Sequence, residues 1–209
     1  MKSIIFLIAI LLLLSGCKSH KATLADNSLI GDSLQANENR FYNSIKTLPL
    51  AFSEISKHDF EKYKKNYRTK CTIDSGGYIS GHGLTLKSEC HDICLLSLTE
   101  DKSRKVMELP SSYDQGVQGM LFSPSCNRFL IYSSYDGPDY SDYYSYRAEI
   151  FAFKVNGKGL DKIVPDFDYY SKDWSIRDAV WVDDKTIAIK VHEGETDSGY
   201  RYYKTNFNN

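Results

Sequence analysis

Short apolar runs separated by turn residues fill the chain from Cys71 onward, and this pattern limits the fold more than any other feature. The runs are rich in Ile, Val, Phe and Tyr, with Gly, Asn, Asp and Pro between them, a pattern typical of successive short strands. Asn156-Gly157 and Asp183-Asp184 are turn signals. An all-β fold is therefore predicted, with strands over residues 76–81, 84–88, 93–98, 105–109, 119–123, 128–134, 148–155, 161–165, 179–183, 186–192 and 200–207.

The strand pattern repeats along the chain. Residues 117–164 and 176–191 each contain an apolar strand, a polar turn and a second apolar strand, and residues 76–109 form a degenerate copy. The best copy contains Phe-Ser-Pro at 122–124, Arg-Phe-Leu-Ile-Tyr-Ser-Ser at 128–134 and Glu-Ile-Phe-Ala-Phe at 149–153, with Asn-Gly at 156–157. It resembles the blade repeat of TolB-like β-propellers. The chain departs from that repeat at residues 125–127, where the family's Asp-Gly turn is missing, and a generic β-meander is the alternative.

The length of the β region limits the number of repeats. Residues 71–209 have room for about three blades of about 40–45 residues each, whereas closed propellers have about four to eight blades. The prediction is a partial propeller of antiparallel sheets, whose open edges need cover from N-terminal helices or from a second copy in a homodimer.

The N-terminus carries an export signal. Lys2 precedes an unbroken apolar run over residues 4–14, too short to span a bilayer comfortably and typical of a secretory signal peptide. Leu-Ser-Gly-Cys at 14–17 resembles the bacterial lipobox. This resemblance implies that residues 1–16 are removed and that lipidated Cys17 anchors the chain to a membrane. Lys18 in place of Asp implies the periplasmic face of the outer membrane; in a Gram-positive host the anchor lies on the outer face of the single membrane.

Residues 17–40 read as a flexible tether, and residues 41–70 as a short helical segment. Apolar residues between 52 and 67 recur at near-helical spacing, and Asp59 is a candidate cap for a second short helix beginning at Phe60. Residues 57–70 contain six basic and two acidic side chains. This excess suits either a solvated helix face or attraction to anionic headgroups or an acidic partner.

Four cysteines follow the lipobox: Cys71, Cys90, Cys94 and Cys126. In an exported protein they are expected to form disulfides. A bond between Cys90 and Cys94 would need a tight turn between them, because four extended residues span about 13 Å. The pairings Cys71–Cys90 and Cys94–Cys126 are therefore favoured. The Cys-x-x-x-Cys spacing beside His82 and His91 also suits zinc, but no second regular ligand pair follows and the compartment favours oxidation.

The sequence contains none of the common enzyme signatures, including the G-x-S-x-G, H-E-x-x-H, P-loop and G-x-G-x-x-G motifs. His82 lies between two glycines and His192 precedes two glutamates, so each is a candidate base or ligand, although a His in a polar loop is more often solvated. Asp136, Asp139 and Asp142 lack the spacing of a calcium loop. No cofactor, metal or catalytic residue is expected. The 26 basic and 27 acidic residues argue against nucleic acid as a partner.

The most unusual stretch is residues 132–146, named here the Tyr/Asp segment, with six Tyr, three Asp and four Ser in fifteen residues. Tyr, Ser and Gly make up the surfaces with which antibodies bind proteins, while Tyr also favours strands for structural reasons. Two further groups are expected near it: Tyr169, Tyr170 and Trp174, and Tyr200, Tyr202 and Tyr203. The predicted partner-binding residues are Tyr135, Asp136, Asp139, Tyr140, Asp142, Tyr143, Tyr144 and Tyr146.

These observations favour a non-enzymatic, membrane-anchored envelope lipoprotein that binds another protein, with the Asp residues favouring a basic partner. One concrete form is an immunity protein that blocks an exported envelope-degrading effector; this rests on analogy of fold and location. The alternative is an envelope scaffold or assembly lipoprotein, as the resemblance to TolB implies. A glycan-binding or enzymatic factor is the third class.

Overall fold

The computed structural model describes residues 50–90, 94–110, 117–136, 146–193 and 199–207. Among them are one α-helix, α1 (Lys57–Asn66), and a 3-10 helix at Leu160–Lys162. The strands are β1 (Ser53–Glu54), β2 (Tyr78–Ile79), β3 (Leu84–Cys90), β4 (Cys94–Glu100), β5 (Val106–Glu108), β6 (Val117–Phe122), β7 (Arg128–Asp136), β8 (Tyr146–Val155), β9 (Ile163–Ser171), β10 (Ser175–Asp183), β11 (Thr186–His192) and β12 (Tyr200–Asn206).

The strands form three four-stranded antiparallel sheets. The first sheet has the order β2-β3-β4-β5, the second β6-β7-β8-β9, and the third β1-β12-β11-β10. Neighbours in each sheet follow one another along the chain except β1, which pairs with β12. The fold is all-β with a partial, propeller-like arrangement, as the sequence predicted, and every predicted strand lies in one of these sheets.

The central strands of the second sheet, β7 and β8, are buried on both faces along most of their length, which explains why their sequences are nearly continuous apolar runs. Along β7, Phe129 and Ile131 pack against the first sheet, whereas Leu130 between them packs against the third. Along β8, Phe153 likewise packs against the first sheet and Ala152 against the third. The two larger core clusters of the described residues therefore lie on either side of the second sheet.

Polar contacts also join the second and third sheets. The indole N–H of Trp181 in β10 donates to the Leu121 carbonyl of β6 at 3.0 Å, and the Ile176 N–H donates to Ser134 Oγ at 2.7 Å. Because Trp181 is 1 % exposed, its hydrogen bond satisfies a donor that would otherwise be buried without a partner.

Helix α1 covers the outer face of the third sheet. Phe60 is fully buried among Val180, Ala188 and Tyr202, and Lys64 Nζ lies 2.5 Å from the Asp178 carboxylate of β10. The N-terminal helix thus covers a face of the third sheet rather than an open edge. The short strand β1 covers the edge of this sheet at β12. A second copy of the chain stays a prediction.

Ser56 begins α1 as its N-cap. Its Oγ accepts from the Asp59 N–H at 3.0 Å and donates to the Asp59 carboxylate at 2.6 Å. The expectation that Asp59 caps a second helix starting at Phe60 is therefore wrong, because Asp59 already lies in the first turn of the single helix. A carboxylate in the first turn is favourable next to the free N–H groups there.

Replacing Phe60 by Ala is expected to lower the free energy of unfolding by about 3–5 kcal/mol, because it leaves a cavity between α1 and the third sheet. Urea denaturation followed by circular dichroism measures this. Glu61→Ala, one position along on the exposed side of the helix, is the control and should change stability by less than about 0.5 kcal/mol. Equal losses for the two variants would mean that α1 does not pack as described.

Candidate functional site

The Tyr/Asp segment lies partly within the β7–β8 hairpin: residues 132–136 belong to β7 and Tyr146 begins β8, so the expectation that the whole segment is a loop between strands is wrong for these residues. The last register pairs of this hairpin are Tyr135 with Arg147 and Asp136 with Tyr146. The predicted binding residues Asp139, Tyr140, Asp142, Tyr143 and Tyr144 lie outside the described residues, as does the side chain of Asp136. Tyr135 and Tyr146 are described, and they mark the base of the segment.

A row of rings joins this base to the third sheet. The Tyr146 ring lies 5.4 Å from the His192 ring, and His192 lies 5.8 Å from Tyr200. Lys190 Nζ lies 3.8 Å from the centre of the Tyr200 ring, within cation–π range. Tyr200 is 46 % exposed. Tyr146, at the start of β8, therefore lies beside the end of β11 and the start of β12. This confirms the expectation that Tyr200 lies near the base of the segment.

Arg147 is a component of this end that sequence reasoning missed. It is 2 % exposed, and its guanidinium carbon lies 4.0 Å from the centre of the Tyr135 ring. Such a contact holds Tyr135 against β8. An Arg at the start of an apolar strand gives no signal in the sequence that its side chain will be buried.

Most of the other expected tyrosines are packing residues. Phe52 packs on Tyr169 at 5.1 Å and on Trp174 at 5.5 Å between ring centres, and Tyr203 lies at the edge of the same group. Tyr202 is 8 % exposed beneath α1. Of the two extra groups, only Tyr170 and Tyr200 expose large parts of their rings.

His192 and Glu193 are also bound to their neighbours. The Tyr203 hydroxyl donates to Glu193 Oε1 at 2.7 Å, and Arg201 Nε lies 3.3 Å from the other carboxylate oxygen. Burial raises the pKa of Tyr203, and the hydrogen bond to Glu193 adds to that rise. The Glu193 carboxylate is thus engaged by a phenol and a guanidinium.

The opposite end of β7 carries the Cys71–Cys126 disulfide, whose Cα atoms lie 5.6 Å apart. The pairings Cys71–Cys90 and Cys94–Cys126 are therefore wrong. The chain after α1 crosses the turn at residues 123–127: the Thr69 hydroxyl donates to the Ser123 carbonyl at 2.9 Å and the Lys70 N–H donates to the Pro124 carbonyl at 3.0 Å. These bonds bring Cys71 to Cys126.

Cys90 and Cys94 are direct register partners across β3 and β4. The two cysteines are therefore not separated by about 13 Å of extended chain, because they lie on opposite strands of one hairpin. Their side chains, together with His91, lie outside the described residues. Cys17 and His20 also lie outside them.

Cys126 has a φ of +66°, a backbone conformation that favours glycine. The turn closes with hydrogen bonds from the Cys126 N–H to the Ser123 carbonyl and from the Ser123 N–H to the Arg128 carbonyl, both at 2.9 Å. The turn at residues 123–127 thus reaches the left-handed conformation without a glycine.

Turns of all three sheets meet here. His82, in the β2–β3 turn, places Nε2 3.0 Å from Cys126 Sγ. On the other side, the Ser125 N–H donates to Asp184 Oδ1 at 2.7 Å, and Arg128 donates to the Asp184 carbonyl at 2.9 Å. The 123–127 turn therefore contacts the corresponding turn of each neighbouring sheet. His82 is packed between turns, contrary to the expectation of a solvated loop residue.

The basic side chains of residues 57–70 are exposed, and His58 is exposed with them. Lys64 is paired with Asp178. The arrangement is compatible with both interpretations of this charge, a solvated face and attraction to an anionic surface.

No family model, curated protein or solved structure matches the chain. Among the described residues, no helix is long and apolar enough to cross a membrane. The function is therefore argued from the geometry of the site.

Replacing Cys71 by Ala and Cys126 by Gly is expected to give a more stable protein than replacing both by Ala. The left-handed conformation costs a non-glycine residue about 1–2 kcal/mol, which exceeds the extra chain entropy of Gly, about 0.4–1 kcal/mol. Urea denaturation of both variants measures the difference. The matched control compares Ser125→Gly with Ser125→Ala, because Ser125 does not have a positive φ. At this position the Ala variant should be the more stable of the two. If the Ala variant is the more stable at position 126 as well, the account is contradicted.

Stability is expected to depend on Asp184 in a pH-sensitive way. Burial alone would raise the pKa of Asp184, but hydrogen bonds from Ser125 and Ser123 and the charge of Arg128 outweigh it, so the pKa is lowered. The carboxylate therefore stabilises the fold above its unfolded pKa of about 3.9, and this contribution is lost as the pH falls through the lower folded pKa.

Asp184→Asn tests this dependence by urea denaturation between neutral and acid pH. The variant should be less stable than the native chain at neutral pH, and the difference should shrink below about pH 4. A difference that stays constant over this range would show that the charge of Asp184 is not the cause.

Proposed function

We propose that the protein is a non-enzymatic, lipid-anchored envelope protein that binds another protein through the Tyr/Asp segment. The observation that carries this proposal is the position of Tyr146, at the base of the segment, which is joined through the His192 ring to the exposed ring of Tyr200. Loops held by a rigid scaffold are where binding residues concentrate.

The scaffold supports the proposal by fixing the base of the segment. Asp136 and Tyr146 are held as the last register pair of a hairpin, and the strand behind Tyr146 is buried along most of its length. The Tyr146–His192 contact fixes the same base from the third sheet. A segment anchored at both ends loses less conformational entropy on binding than a free one.

The composition of the segment supports a basic protein as partner. Tyrosines supply contact area at a low entropy cost, and the three Asp residues supply negative charge. The concrete form proposed is an immunity or inhibitor protein that covers a basic, exported, envelope-degrading enzyme. The lipid anchor at Cys17, also a proposal, would hold it at the membrane where such an enzyme arrives.

The second candidate is an envelope scaffold or assembly lipoprotein. It is favoured by the three sequential four-stranded sheets, the arrangement that the resemblance to TolB implies. The two candidates differ in their partner: an inhibitor binds one exported hydrolase in equal amounts, whereas a scaffold binds constitutive envelope proteins.

Affinity capture with the detergent-solubilised native lipoprotein, followed by mass spectrometry of bound envelope and secreted proteins, separates the candidates. Recovery of a single basic hydrolase at equal stoichiometry would support the inhibitor, and inhibition of that hydrolase would complete the test. Recovery of structural envelope proteins alone would support the scaffold and count against the inhibitor.

Replacing Tyr140, Asp142, Tyr143 and Tyr144 together by Ala is expected to weaken binding of the captured partner at least tenfold, about 1.4 kcal/mol, because aromatic side chains dominate such interfaces. Titration calorimetry measures the Kd. Tyr78→Ala removes an exposed tyrosine, 42 %, from the first sheet and should leave the Kd unchanged. Unchanged affinity of the fourfold variant would remove the segment from the interface.

A further inference from the structure

The most unusual chemical cluster outside the Tyr/Asp segment lies at the other end of β7. The Sγ atoms of Cys71 and Cys126 and one ring nitrogen of His82 all lie within 4.8 Å of one another. Cys71 is 5 % and Cys126 8 % exposed. Two thiols and an imidazole are a ligand set for soft metal ions.

The hydrogen bond on the far side of the imidazole fixes its orientation. His82 Nδ1 lies 3.2 Å from the Gly157 carbonyl oxygen, and a carbonyl only accepts, so Nδ1 carries the proton. In the neutral ring, Nε2 therefore has a free lone pair, and this atom lies 3.0 Å from Cys126 Sγ. A histidine that binds a metal is usually held by such a bond from its other nitrogen.

The disulfide makes no use of this lone pair, because its sulfur atoms carry no proton to donate. The reduced state would use it, since thiolates and an imidazole lone pair then converge on one point. Zinc bonds of about 2.3 Å to sulfur and about 2.0 Å to nitrogen place tetrahedral ligand atoms about 3.6–3.8 Å apart. The two sulfur atoms of a disulfide lie about 2.0 Å apart, so after reduction they must separate by about 1.8 Å, or about 0.9 Å each, to reach this geometry. The three ligand atoms already lie within 4.8 Å of one another.

We propose that Cys71, His82 and Cys126 form a binding site for a soft divalent cation of the zinc type when the disulfide is reduced. A dithiol reductant supplies two electrons and two protons to the Cys71–Cys126 bond and becomes a disulfide itself. The cation then displaces both thiol protons and is bound by two thiolates and His82 Nε2, with a fourth position for water. The disulfide thus crosslinks two segments, whereas the metal would crosslink the same two segments and the β2–β3 turn that carries His82.

The structural consequence is a crosslink that survives reduction. Cys71 follows α1, His82 lies in the first sheet, and Cys126 lies in the turn of the second. A metal bound by all three would keep these elements together in a reducing environment, because binding to the folded state alone stabilises it.

The test uses the full mature chain with Cys90→Ser and Cys94→Ser, so that the Cys-x-x-x-Cys pair cannot bind the metal. After reduction with a phosphine, Zn²⁺ binding is measured by competition with a chromophoric chelator, and Co²⁺ is added in parallel to detect thiolate-to-cobalt charge transfer. We expect one Zn²⁺ per chain, the thiolate band, and a higher Tm of the reduced protein with Zn²⁺. The oxidised protein should bind none.

His82→Ala separates the site from a pair of free thiols. It should weaken Zn²⁺ binding at least tenfold and abolish the rise in Tm, whereas His58→Ala, at an exposed helix position, should change neither. Thermal unfolding of the oxidised His82→Ala chain verifies that the variant folds. Zn²⁺ binding that is absent, equal in the oxidised protein, or insensitive to His82 would overturn the proposal.

Discussion

The crosslink between Cys71 and the 123–127 turn is the interaction on which the rest of the structure depends. The two cysteines are 55 residues apart in the sequence, and closing a loop of that length removes chain entropy worth about 4 kcal/mol from the unfolded state. The bond also fixes the chain where it passes from α1, on the third sheet, to the first sheet. Without it, hydrogen bonds such as those of Thr69 and Lys70 would have to hold this part of the chain to the 123–127 turn.

The 123–127 turn serves this role because it lies between the other two sheets. His82 contacts it from the first sheet and Asp184 from the third. Along strands β7 and β8 of the second sheet, alternate apolar side chains pack against the first sheet and against the third. One end of the stack is held together by turns, and the hairpin ends at the other end, about 26 Å away along β7, carry the Tyr/Asp segment.

Much of the fold could be predicted because strands and turns are coded locally. Strands β7 and β8 are apolar runs bounded by Ser123-Pro124 and Asn156-Gly157, and their sequence signals agree with the structure. The second half of β9, residues 166–171, was not predicted, because its sequence is largely polar. Strand β1 could not be predicted, since Ser53 and Glu54 carry no apolar pattern and become a strand only by pairing with β12. Helix α1 could be predicted from its apolar spacing, but its start at Ser56 could not, and Asp59 in its first turn was expected to cap a second helix.

The site was less predictable because its contacts join distant parts of the chain. The disulfide pairing depends on the path of residues 67–71 across the 123–127 turn, which no spacing of cysteines reveals. The sequence showed that residues 125–127 lack an Asp-Gly turn. It did not show that Cys126, a disulfide-bonded cysteine, adopts the left-handed conformation there. Likewise, composition alone could not separate Tyr169 and Tyr203, which pack against Phe52, from the exposed Tyr200.

The most direct test of this account is peptide mapping of the unreduced native protein by mass spectrometry, with free thiols blocked before digestion. The account predicts a crosslinked peptide pair containing Cys71 and Cys126. A bond from Cys71 to Cys90, or from Cys94 to Cys126, would contradict it, because either would pull the chain after α1 away from the turn at which the three sheets meet.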